Sequence, residues 1–204
     1  GCSKQEKVEE KPEPKPQVET PLSKEEVEEK LKELLNEKVE GEVLEFDCSD
    51  YDHNGTYEAF ALIDTSVYYI TEDEVTTVGV SDRYYRNTKD SLLKTDDRDY
   101  FVIEGYCATS TVNYVFTVHD GTFQDLTPGE PVEYFGCLNE NELVTVCTSY
   151  DASTDGTGHT FKIYYLYYDG NEGLKEYQGI YVSIDDLSKY KGYEQIEAAV
   201  RTDK

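Results

Sequence analysis

Basic residues are scarce in this chain: 19 Lys and Arg stand against 44 Asp and Glu, a formal charge of −25. Nucleic-acid binding needs clustered cations that release counterions from phosphate, so nucleic acid is excluded as a partner. Anionic membranes and anionic glycan surfaces would repel the chain for the same reason. No segment approaches the ~20 apolar residues of a membrane-spanning helix. No CxxC pair suggests zinc or thiol redox chemistry, and the GxSxG, HExxH, P-loop and dinucleotide glycine patterns are missing too. The three histidines are scattered in loop-like segments, which gives a zinc or general-base site no convergent support. Carboxylates abound, yet none is singled out as the acid–base pair of a glycosidase. Binding is therefore the expected class. The alternative is a secreted hydrolase, or an inhibitor of one, with a carboxylate-lined cleft between a sheet and the terminal helices.

What is present supports a real core, since 37% of the 204 residues are hydrophobic and 13% aromatic. That is room for a single domain, residues 23–204, and a tail. The tail, "GCSKQEKVEEKPEPKPQVETPL" at 1–22, holds four of the six prolines and almost nothing apolar. Such a composition buries too little surface to offset ordering entropy, so it reads as an extended linker. The domain then opens with Ser23 and Glu26, which form a capping box, and with Leu22 placed to staple against Val27. Val27, Leu31, Leu34 and Leu35 recur at helical spacing, predicting a helix over 23–40 that ends near Gly41.

From residue 42 the apolar period changes to two. Candidate strands are 42–47, 58–63, 66–71, 75–80, 100–108, 112–119, 122–126, 131–138, 142–149, 160–168 and 179–183. Asp120-Gly121 between two alternating runs is a strong hairpin signal, and "CLNENELV" makes a similar tip. With crossover helices missing between strands, the sheets should be antiparallel and meandering. Residues 184–201 predict a closing helix with Ser183 as its cap. The expected fold class is mainly β (α+β), sandwich- or barrel-like, with a helix at each end, and the expected state is a monomer.

Cys48, Cys107, Cys137 and Cys147 form an even set that permits disulfides, with three possible pairings. The equal intervals Cys107–His119 and Cys147–His159 invite a nucleophile–base reading. Cys147, however, sits in an alternating apolar run and His159 in a Gly-Thr loop, so structural thiols or disulfides are expected. Among 19 tyrosines, "KIYYLYYDG" at 162–170 carries Tyr on both faces of one strand. One face at least should then be wet. Ordinary sheet packing is the first explanation, and a glycan or protein ligand on a Tyr-rich face is the second.

One stretch names an ion chemistry. In "DYDHNGTYEAFALID", Asp50, Asp52, Asn54, Thr56 and Glu58 occupy alternate positions one, three, five, seven and nine, with Gly55 at six where the chain must turn. Calcium takes six to eight oxygens at ~2.3–2.6 Å, and alternate residues of a tight loop can supply them. The pattern resembles the DxDxDG calcium loop. An EF-hand needs Glu at position twelve between helices, whereas here that residue is Ala61 and "EAFALI" reads as a strand. The segment 47–63 is instead similar to the FG-GAP or VCBS-like form, closed by an acid at position nine. That resemblance implies Ca²⁺ held by the side chains of Asp50, Asp52, Asn54 and Glu58 and by the backbone carbonyl of Thr56. Asp47 adds charge nearby. A multi-bladed propeller is not implied, because a single full copy of the loop occurs in the chain.

Cys2, preceded by Gly and followed by Ser and a charged Pro-rich spacer, resembles the lipid-modified start of a bacterial lipoprotein. With "DYDHNGTYEAF" and "YVFTVHDGTFQDL", the wider pattern resembles cell-surface lipoproteins of Gram-positive bacteria. That resemblance implies an extracytoplasmic domain attached to the membrane through lipid on Cys2 alone. It implies no activity.

Overall fold

The computed structural model describes residues 20–80, 84–86, 89–107, 110–150 and 159–201; Cys2 lies outside them. Helix α1 spans Lys24–Lys38. The Ser23 side chain accepts from the Glu26 amide at 3.2 Å, and its hydroxyl in turn donates to Glu26 Oε1 at 3.1 Å. The cap thus closes through the carboxylate and the hydroxyl rather than through a second backbone amide.

Three antiparallel sheets follow in chain order. The first is a meander of β1 (Val43–Ser49), β2 (Glu58–Ile63), β3 (Ser66–Ile70) and β4 (Val75–Val80). The second contains β5 (Tyr84–Arg86), β6 (Leu92–Lys94), β7 (Asp99–Cys107), β8 (Ser110–His119) and β9 (Thr122–Asp125), with β5 and β6 both pairing with β7. The third is a meander of β10 (Tyr134–Asn139), β11 (Glu142–Tyr150), β12 (His159–Asp169) and β13 (Gly173–Ser183). The expected mainly β, antiparallel, meandering architecture with terminal helices is what the chain adopts.

The packing orders these elements as layers. Val27, Leu31 and Leu35 of α1 meet Ala59, Ala61 and Ile63 on one face of the first sheet. The opposite face, with Phe60, Leu62 and Tyr69, meets Phe101, Ile103, Phe116 and Val118 of the second. The alternate residues Tyr100, Val102 and Val115 point the other way, against Phe135, Leu143 and Leu166 of the third. The far side of that sheet, with Val144, Val146 and Ile163, is covered by Leu187 and Ile196. The order is helix, three stacked sheets, helix: a sandwich rather than a barrel. A central sheet buried on both faces explains why β7 is apolar at successive residues instead of alternating. Arg98, buried at the edge of this middle layer, donates to the Val118 carbonyl at 2.7 Å and lies 3.4 Å from the Tyr168 ring centroid.

Several boundaries differ from expectation. The predicted strand at 179–183 begins six residues earlier, because the run 173–178, exposed from Lys175 onward and without an alternating apolar pattern, pairs with β12 as a sheet edge. The short strands β5 and β6 carry too few residues for a period to show. The closing helix is two pieces, a 3₁₀ helix Ile184–Lys189 and α2, Tyr193–Arg201. They separate where Tyr190 is extended and Gly192 takes φ +78°. Ser183 makes no side-chain cap to a backbone amide; its hydroxyl lies 3.3 Å from Asp186.

Candidate metal centre

The loop 50–57 joins β1 to β2, so strands flank it on both sides as the DxDxDG reading expects. Gly55 takes φ +93° with nothing near its absent Cβ, so conformation and not space demands glycine there. The Asp50 carboxylate folds over this turn, accepting the Asn54 amide at 3.0 Å and the Gly55 amide at 2.8 Å. Asn54 donates to Asp52 Oδ2 at 3.2 Å and accepts the Thr56 amide at 2.8 Å on its own Oδ1. Asp50, Asp52 and Asn54 are thus drawn around one turn, and Thr56 joins through its amide.

Glu58 enters from the first residue of β2, opposite Ser49 in the ladder, and is 3% exposed. Burial, then the charges of Asp52 and Asp50, push its carboxyl up to about 8, against a lowering hydrogen bond from the Tyr51 amide. Glu58 Oε2 and Asp52 Oδ1 are both buried, and neither has a hydrogen-bond partner. Among the described residues, no three His, Cys, Asp or Glu side chains are close enough together to hold a metal ion by themselves. The donor set of this loop is broader than those residue types, since it includes the Asn54 amide and backbone carbonyls. A cleft of about 380 Å³, lined by Asn54, Thr56, Glu58, Tyr69 and Gly121 among others, opens the loop to solvent.

Residues that motif reading passed over hold the loop in place. Tyr51, between the two aspartates, is fully buried. Its ring meets Phe60 edge-on at 4.9 Å, its hydroxyl donates to the Asp47 carbonyl at 2.9 Å, and its carbonyl accepts the Asp99 amide at 2.8 Å. Burying a side chain of that size contributes roughly 1.5–3 kcal/mol, enough to fix the aspartates on either side of it. Asp52 Oδ2 also accepts the Gly121 amide at 3.2 Å from the β8–β9 turn, where Asp120 and Gly121 both take positive φ as the hairpin signal predicts. A large aromatic amid acidic turn residues is the signal that marks Tyr51. Nothing local announces Gly121 or Asp99. Asp47, expected to add charge at the loop, instead takes the Ser91 hydroxyl, and burial raises its carboxyl.

Asp99 joins Ser49 and His53: the Ser49 hydroxyl donates to one oxygen, and His53 Nε2 lies 3.1 Å from the other. The carboxylate stands between hydroxyl and imidazole. A nucleophile–base relay would need the imidazole in that central place, so this arrangement pins the loop to β7 rather than activating Ser49.

The cysteines are separated. Cys48, Cys137 and Cys147 carry free thiols; the Cys107 and His159 side chains fall outside the described set. Cys107 pairs with Ser110 at one end of the β7–β8 hairpin while His119 lies at the other, about 30 Å along the strand. Cys147 faces Lys162 in register, not His159. Burial pushes both Cys48 and Cys147 up to about 11, so their thiolates are scarce at neutral pH. Site-resolved alkylation at pH 8 should therefore label these two slowly in the native protein and fast in denaturant; equal rates in both states would contradict the packing described.

A groove of about 550 Å³ lies between the 125–132 connection and β12–β13, with Asp125, Glu130, Glu172 and Glu176 among its lining residues. Residues of the terminal helices do not line it, which differs from the cleft expected for a hydrolase. The predicted Tyr strand is packed on both faces instead of wet on one, and the exposure falls on Tyr167. Tyr165 is buried, Tyr168 packs on Arg98, and Tyr167 is 40% exposed. No helix among the described residues is long and apolar enough to cross a membrane. No known protein family, curated protein or solved structure matches the chain.

Proposed function

We propose that the chain is a non-catalytic binding domain whose 50–58 loop holds one calcium ion. The observation that carries this reading is the pair of buried carboxylate oxygens, Asp52 Oδ1 and Glu58 Oε2, left without partners in a loop that already contains Asp50. A buried carboxylate without a partner either bears the cost of its charge or keeps a proton, as Glu58 does with its carboxyl pushed up to about 8, and a divalent cation replaces that proton and pairs both groups together. All the donors are oxygens, which select a hard ion over zinc or copper. Calcium suits them better than magnesium, because a loop of mixed carboxylate, amide and carbonyl donors does not impose the near-ideal octahedron that magnesium demands.

The ion's role is mechanical. It would neutralise Glu58 at the head of β2 and Asp52 at its contact with the β8–β9 turn, tying the first sheet to the second. Loops of this charge bind calcium at ~10⁻⁴–10⁻³ M in extracellular modules, a concentration range found outside cells. Calorimetric titration of chelated protein with CaCl₂ tests the reading. One site is expected in the wild type and none in Asp52→Ala or Glu58→Gln, with MgCl₂ much weaker. No calcium heat in the wild type, or undiminished binding in both variants, would sink it.

A further inference from the structure

A second place in the molecule has the form of a ligand site, on the third sheet and independent of the calcium loop. The β12–β13 ladder runs Tyr164↔Gly179 and Tyr165↔Gln178, then shifts to Leu166↔Glu176, so Tyr177 is the one residue left over. An extra residue of this kind bends the strand and re-aims its side chain. Tyr177 consequently lies beside Tyr165 and Tyr167 instead of on the opposite face, with centroids 6.3 Å away in each case and ring planes 32° and 31° apart. Tyr167 and Tyr177 are 40% and 46% exposed, so two neighbouring rings reach solvent, with Lys191 Nζ 5.4 Å from the Tyr177 ring centroid.

Tyr177 is tied at its hydroxyl. The Tyr177 hydroxyl donates to Glu142, Lys191 Nζ lies 2.9 Å from the same hydroxyl, and Lys191 also pairs with Glu142 at 2.8 Å. Facing the rings is the β10–β11 turn, in which Asn139 pairs with Glu142 and Glu140 takes φ +47°. That turn is anchored from the second sheet: the Asp96 amide donates to the Glu140 carbonyl at 3.1 Å, and the Asp97 amide to Asn141 Oδ1 at 2.9 Å. Between turn and rings lies a trough of about 260 Å³ lined by Asn139, Asn141, Glu142, Tyr167 and Tyr177 among others.

We propose that this trough is a binding subsite for one unit of a neutral saccharide. Aromatic rings stack on the apolar C–H face of a pyranose, and Tyr177, tied through its hydroxyl, does so at reduced entropic cost. Asn amides and the Glu142 carboxylate, placed beside the rings, supply the mixed donors and acceptors that hydroxyls require. The trough is smaller than the ~300–1,000 Å³ of sites that enclose drug-sized ligands, which matches a single ring of a longer chain. The net charge of −25 and the local carboxylate select against sulfated or uronic sugars.

The test is an NMR titration of the ¹⁵N-labelled domain, in chelator, with cellohexaose, xylohexaose and mannohexaose as probes. At least one should shift resonances of 139–142, 167 and 177. Tyr177→Ala and Tyr167→Ala should each weaken that binding at least tenfold, Tyr177→Phe should retain most of it, and Tyr181→Ala, which changes a 66%-exposed tyrosine elsewhere on the sheet, should leave it unchanged. The inference is overturned if all three sugars leave the spectrum unmoved, if Tyr177→Ala binds as the wild type does, or if a proline-rich peptide shifts these resonances and the sugars do not. Working in chelator makes the outcome separate from that of the calcium loop.

Discussion

Calcium at about a hundred times its dissociation constant should raise the melting temperature of chelated protein by roughly 5–10 °C. The size follows from mass action: an ion that binds the folded chain alone adds ~2.7 kcal/mol at that excess, and each further tenfold adds ~1.4 kcal/mol. The shift should therefore grow with the logarithm of calcium concentration. Asp52→Ala should remove the response, although it also loses the Gly121 amide contact and will melt lower without calcium. The diagnostic quantity is the difference between calcium and chelator within each variant. Glu58→Gln separates the two effects, because it keeps the shape of the protonated side chain while deleting the ligand charge.

The second large effect is on pH. In the ion-free protein Glu58 titrates near 8, while in the unfolded chain it titrates near its ordinary 4.5. Between those values the unfolded chain has released the proton and the folded chain retains it. Stability contributed by the neutral carboxyl is fully present below about 4.5 and is lost as pH rises toward 8, a fall of up to about 4–5 kcal/mol. Denaturation in chelator at pH 5, 6, 7 and 8 should show that decline. Saturating calcium should flatten it by pairing the ionised carboxylate, and Glu58→Gln should flatten it without calcium. A residual slope of the same sign remains from Asp47, also raised by burial. A flat ion-free profile in the wild type would mean that Glu58 is not held in the buried, like-charged setting described.

The turn and cap signals in the sequence match the structure where chemistry is local. Asp50, Asn54 and Gly55 make a turn because short carboxylate and amide side chains reach the next few backbone amides and glycine accepts positive φ, all of which is written in adjacent residues. The same holds for Ser23 and for Asp120-Gly121. What escaped a linear reading is contact across layers. Tyr51 is buried because Phe60 and the second sheet stand over it, and Asp99 and Gly121 reach the loop from 46 and 69 residues away. The extra residue at Tyr177 exists only as a mismatch between two strands, invisible in either alone. Short β5 and β6 are strands by partnership with β7, not by their own pattern. The break before α2 lies in the backbone at Tyr190, which is extended, and Gly192, at positive φ, in a stretch whose composition suits a helix.

The central claim is that one calcium ion displaces the proton of a buried Glu58. Calorimetric titration with CaCl₂ at pH 7, repeated in two buffers of different ionisation enthalpy, measures ion and proton together. One calcium per chain with release of more than half a proton is the predicted result, given a carboxyl pushed up to about 8 before binding. No binding at all, or binding without proton release that Glu58→Gln leaves intact, would contradict it.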